Sequence, residues 1–222
     1  MAYRYRLSLA IAGILISMAL PARATSITIG GLLVDDQGRF STVPGATTVD
    51  FNALSVGGAP QVFSVGIASY QAIVGVCATC TGSGDVLDDT TVFARALAPA
   101  QGGTPLTINF SQPIAYFGLY WGSPDPGNTI TFFNGATQLL AFTGANLNST
   151  LGVGFGLANA AYVNFRAGPG ESYTRIVLSS TDFPFETDNH AFKVVPEPAS
   201  LLMLGTGGLG LIAALRRRKR RS

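Results

Sequence analysis

The chain has 222 residues and a formal charge of +2 that conceals a strong asymmetry between its middle and its ends. Residues 25–195 hold eleven acids against five bases, a balance of −6, which repels phosphate backbones and argues against nucleic-acid binding by this stretch. One histidine and two cysteines leave too few ligands for a four-coordinate zinc site and restrict any serine triad to His190.

The first 24 residues read as a signal peptide. Arg4 and Arg6 supply the positive start, "LSLAIAGILISMAL" the apolar stretch, and Ala22 to Ala24 the small residues of a cleavage site. An apolar run of about 14 residues falls short of the roughly 20 that span a bilayer, so cleavage after Ala24 is expected rather than a retained anchor.

Residues 25–195 follow as one exported domain. "SITIGGLLV", "TTVDF", "QVFSVGI", "AIVGV", "TVFARAL" and "LTINF" are short runs rich in β-branched and aromatic residues, divided by Gly, Pro, Asn and Asp. "IAYFGLYW", "TITFF", "TQLLAF", "YVNFRA", "RIVLSS" and "HAFKVV" continue the pattern, and none keeps a helical period. This predicts a mainly β fold, an antiparallel β-sandwich of jelly-roll-like type. In "CATC", Cys77 and Cys80 run into loop chemistry instead of a helix, so a local disulfide formed after export is expected. Asp85, Asp88 and Asp89 are hard oxygen ligands that suit calcium, but they lack the D-x-D-x-D-G order; a solvated loop is the expectation and calcium the alternative. No other cofactor is expected.

"IAYFGLYW" is apolar on both faces, with Tyr116, Gly118 and Tyr120 opposed to Phe117, Leu119 and Trp121, as in a central strand. Trp121, Asp125 and Asn128 are the candidate ligand residues: a tryptophan to stack a sugar, polar groups for its hydroxyls. Against this, Asp and Asn in "SPDPGN" are ordinary turn formers. Asn134-Gly135 predicts a type I′ hairpin between "TITFF" and "TQLLAF". Glu186, Asp188 and Asn189 raise the calcium question again, and the same solvated loop is expected. No G-x-S-x-G elbow accompanies His190, so catalysis is not expected.

The C-terminal stretch holds Pro196, Glu197 and Pro198, then an uncharged apolar run from Ala199 to Leu215, then Arg216, Arg217, Arg218, Lys219, Arg220 and Arg221. Gly205, Gly207 and Gly210 spell G-x-G-x-x-G, but the chain ends too soon afterwards for a dinucleotide fold. Seventeen residues make a helix of about 25 Å, which suits a short transmembrane span at 199–215. The basic tail at 216–221 would then stop transfer and remain cytoplasmic.

Pro-Glu-Pro, apolar helix and arginine-rich tail in this order resemble the PEP-CTERM sorting signal of exopolysaccharide-producing Gram-negative bacteria, here residues 196–222. The resemblance implies export through the Sec translocon and transient anchoring in the inner membrane. Recognition by an exosortase, a membrane-embedded transpeptidase, would follow, and then delivery to the cell surface or extracellular matrix. Gly118, Tyr120, Trp121, Gly122, Ser123, Asp125 and Asn128, then Phe185, Glu186, Asp188 and Asn189, are similar to the passenger domain of a recurring group of such surface proteins. The F-E-x-D-N ending also recurs in jelly-roll modules of the carbohydrate-binding kind. The function implied is a structural or adhesive component associated with exopolysaccharide. A carbohydrate-binding module and a secreted hydrolase are the alternatives.

Overall fold

Residues 106–121 form one sixteen-residue strand to which most of the chain is tied. The computed structural model describes residues 25–54, 61–72, 89–103, 105–155 and 159–195. Among these, strands β1 to β7 are Ser26–Ile29, Leu32–Val34, Gly38–Phe40, Thr47–Val49, Gln61–Val65, Ala68–Ala72 and Ala94–Ala96. The long strand Leu106–Trp121 is β8, followed by β9 (Thr129–Asn134), β10 (Thr137–Thr143) and helix α1 (Gly144–Leu151). Strands β11 (Ala161–Arg166), β12 (Tyr173–Ser179) and β13 (Phe185–Val194) complete the fold. The expectation of a mainly β, antiparallel protein holds.

The first half of β8 pairs with β6 and β12, through Ile108↔Tyr70 and Ile108↔Ile176. Its second half pairs with β11 and β13, through Tyr120↔Tyr162 and Tyr120↔Asp188. The exchange of partners falls around Ser111–Pro113, where proline has no N–H to give to a ladder. "LTINF" and "IAYFGLYW" are therefore one strand, although "SQP" reads as a break between two. Hydrogen bonds join eleven strands in a single sheet, and β2–β3 forms a separate ribbon.

Side chains of the two partner groups meet in the core. Phe132 of β9 lies 4.7 Å from Phe165 of β11 and 6.2 Å from Phe117 of β8, ring centre to ring centre. Phe117, Leu119 and Trp121 all join this main cluster. The opposite face of β8 supplies Tyr120, which packs with Tyr162 and Phe93 in a second, smaller cluster. Both apolar faces of "IAYFGLYW" are thus used, as a central strand requires.

The hairpin at Asn134 is present, with a shifted turn. Asn134 pairs with Thr137, so Gly135 and Ala136 are the central residues, and only Gly135 has positive φ, +57°. A glycine in the first central position is the II′ pattern rather than I′. Helix α1 was not legible in the sequence. It has eight residues, capped by the Thr143 side chain accepting from Asn146 N and closed by Gly152 at φ +70°.

Strand register also places the ends of the described domain. Ser26 pairs with Arg166, Arg166 with Tyr116, and Tyr116 with Lys193. Residue 26 and residue 193 therefore sit on one row across four strands.

Candidate functional site

Strand β13 carries five consecutive polar residues that should alternate between core and solvent. They do not: Glu186, Thr187, Asp188, Asn189 and His190 are all buried. A bulge makes this arrangement fit. Asp188 is opposite Tyr120 and Ala191 opposite Gly118, which leaves one extra residue on β13, and Asn189 adopts φ +49°. Asparagine is among the few side chains that tolerate this region.

Each buried group has its own surroundings. Glu186 is opposite Arg95 of β7 and accepts a hydrogen bond from the Ser123 hydroxyl. Burial raises its carboxyl to about 7, with Ser123 pulling the other way. His190 lies between Tyr70, whose hydroxyl is 3.2 Å from Nδ1, and Thr187, whose hydroxyl is 2.9 Å from Nε2. Phe51 and Phe117 approach the ring with their planes steeply inclined to it, and desolvation lowers its pKa to about 3. His190 is a neutral core residue closed off from any substrate.

Asp188 meets a carboxylate from far away in the chain. Burial pushes Asp188 well above the usual carboxylate range, and the neighbouring Asp89 carboxyl adds to the shift. The Thr91 hydroxyl bonds Asp89 Oδ1 and reaches Asp188 Oδ2 at 3.3 Å. Asn189 N–H donates to Asp188 Oδ1 at 2.7 Å, and its amide nitrogen donates to Gln37 O. Gln37 in turn bridges to Asp89. Gly38, at φ +71°, admits this packing: a Cβ there would lie 2.5 Å from the Tyr120 ring and 3.0 Å from Asp89 Oδ2. The expectation of a solvated loop at Glu186, Asp188 and Asn189 is thereby corrected, because all three side chains are inside.

The sugar-stacking role considered for Trp121 also fails. Its ring is fully buried and stacked on Phe185, 4.3 Å centre to centre and 19° from parallel, so neither face is open to a glycan. Asn128 is a turn former: its amide nitrogen bonds Ser123 O at 2.9 Å, and its N–H bonds Asp125 O. Asp125 accepts weakly from Ser123 at 3.4 Å, and burial raises its carboxyl. Among the described residues no three His, Cys, Asp or Glu side chains are grouped to hold a metal. Cys77, Cys80, Asp85, Asp88, the signal peptide at 1–24 and the segment from Pro196 to Arg221 lie outside the described residues. No described helix is long and apolar enough to cross a membrane.

The functional assignment therefore rests on the segment that follows β13. A family model for the PEP-CTERM protein-sorting motif matches residues 194–219. The chain carries a PEP-CTERM sorting motif. The motif supports export and exosortase-dependent sorting of the β domain that precedes it. No curated protein and no solved structure matches the chain.

Sequence reasoning missed the buried Asp89–Asp188 pair and the His190 pocket. The available signal was the run of polar residues in "FETDNHAF", too long for a strand with one wet face.

Proposed function

We propose that this protein is a PEP-CTERM surface component with a non-catalytic β domain, carried out of the cell to act structurally or adhesively beside exopolysaccharide. The match at residues 194–219, starting at the last residue of β13, carries the reading. Sec-dependent export with cleavage after Ala24 delivers the domain. The apolar run 199–215 then holds it in the inner membrane until an exosortase acts near Pro196–Pro198, and the domain passes to the Gram-negative surface or matrix. Oxidising surroundings on that route suit a Cys77–Cys80 disulfide. The architecture is read as a β-sandwich, supported by the contacts of Phe132 with Phe117 and Phe165. A non-enzymatic role is supported by the burial of His190. The acidic balance of the exported residues argues against nucleic-acid partners.

Mass spectrometry of the protein purified from its host tests this directly. The expected product begins at Thr25 and ends near the Pro-Glu-Pro, without the 216–221 tail. Most molecules retaining Arg216–Arg221 would instead mean a permanent anchor and would overturn the sorting step.

A further inference from the structure

Two of the buried side-chain polar atoms without a hydrogen-bond partner are acceptors at one junction: Asp89 Oδ2 and Asn189 Oδ1. Asp188 Oδ2, on the residue before Asn189, accepts from the Thr91 hydroxyl at 3.3 Å. That hydroxyl has one proton, and it also bonds Asp89 Oδ1. Asp89 Oδ2 and Asn189 Oδ1 are thus buried acceptors left without a donor. Burying carboxyl and amide oxygens without partners costs on the order of 1–3 kcal/mol each, and more when charged. A single proton shared by the two carboxyls relieves their repulsion but leaves Asn189 Oδ1 unsatisfied.

We propose that Asp89, Thr91, Asp188 and Asn189 form a calcium site. The donors are all oxygen, from carboxylate, hydroxyl and amide, which is the preference of a hard cation. The chain's one histidine, His190, is engaged elsewhere, with Tyr70 and Thr187. Calcium accepts six to eight oxygens in irregular geometry, whereas magnesium demands a near-regular octahedron and keeps most of its water. A bulged strand facing an irregular stretch at 89–91 suits the first. Asn189 Oδ1 is the second, independent sign of a ligand: its residue is fully buried, and its own amide nitrogen is already engaged by Gln37 O. The carboxylates of Asp89 and Asp188 would supply two negative charges to hold the ion. The residues join β13 to the stretches at 37 and 89, so the ion would clamp the ribbon side of the domain onto the sheet. The site stands whether or not the chain is sorted as proposed above.

The test uses the full chain in detergent, stripped with EDTA at pH 7.5 and titrated with calcium, magnesium and terbium. Tyr162 donates to Asn189 O at 3.1 Å and Tyr120 is opposite Asp188, so bound terbium should show tyrosine-sensitised emission. Calcium should displace terbium at a single site, and magnesium should not. At 100-fold excess over its Kd, calcium should raise the melting temperature by about 5–10 °C. Asp188→Asn should abolish binding. Asp89→Asn, at a half-buried position that keeps the side-chain shape, should weaken it on the order of tenfold, which covers the case in which the first variant does not fold. No sensitised emission, or equal emission from wild type and Asp89→Asn, would overturn the site. A melting temperature indifferent to calcium at about 10 mM would also overturn it.

Discussion

Replacing Glu186 with glutamine should stabilise the protein above neutral pH, although it removes a charge opposite Arg95. In the folded protein the carboxyl titrates at about 7 instead of 4.5, chiefly because it is desolvated. The native state therefore binds the proton more tightly than the unfolded chain. Between pH 4.5 and 7 stability falls as the pH rises, and above 7 the whole cost is present. At 1.36 kcal/mol per pH unit that cost is about 3 kcal/mol. Glutamine still accepts the Ser123 hydrogen bond and never ionises. The assay is a set of urea denaturation curves for wild type and Glu186→Gln from pH 4 to 8, in EDTA, followed by the fluorescence of the single tryptophan. Subtracting one protein from the other cancels the titrations of His190 and Asp188. The variant should gain about 3 kcal/mol on wild type between the acid and alkaline ends, or roughly 6–12 °C in melting temperature. A difference that stays constant across the range would show that Glu186 ionises normally, and the desolvation argument would fail.

On the acid side His190 should act in the opposite sense. Its folded pKa of about 3 against 6.5 means the unfolded chain takes up the proton first, so stability is lost as the pH falls from 6.5 toward 3, by up to about 5 kcal/mol. His190→Asn should lack that loss when subtracted from wild type, and an unchanged acid slope would refute it. Trp121→Ala should cost about 3–5 kcal/mol as a core deletion. Wild-type tryptophan emission should be blue-shifted and indifferent to added glycans; quenching or a spectral shift by a sugar would mean that the ring is accessible. Gly38→Ala should destabilise by about 2 kcal/mol or more, through positive φ and the clash with Tyr120, measured by thermal melting. Near-wild-type stability there would mean that the ribbon β2–β3 packs elsewhere.

What the sequence conveyed was local. The two-faced pattern of residues 116–121 and the hairpin near Gly135 follow from periods of two and from turn chemistry, both readable in a short window. The turn slipped by one residue because Gly135 satisfies the positive φ alone, and II′ needs only one such position. Continuity of β8 through Pro113 was hidden because proline normally ends a central strand; here the partners change at that point instead. Helix α1 lacks an apolar face long enough to register. Asp89 and Asp188 are almost a hundred residues apart, and nothing in either neighbourhood encodes their meeting. The inward turn of residues 186–190 depends on a bulge and on a covering ribbon, which are tertiary facts.

The row through Ser26, Arg166, Tyr116 and Lys193 gives the domain a polarity. Entry and exit share one rim, so on the proposed route a transpeptidase acting just past residue 194 would work beside the amino terminus left by signal-peptide cleavage. The Trp121–Thr187 pole, five strand steps or about 17 Å away, is the part offered to whatever lies beyond. A tether on the proposed route would hold the row of Ser26 and Lys193 nearest the membrane and leave the loops that carry Asp125 and Asp182 on the far side.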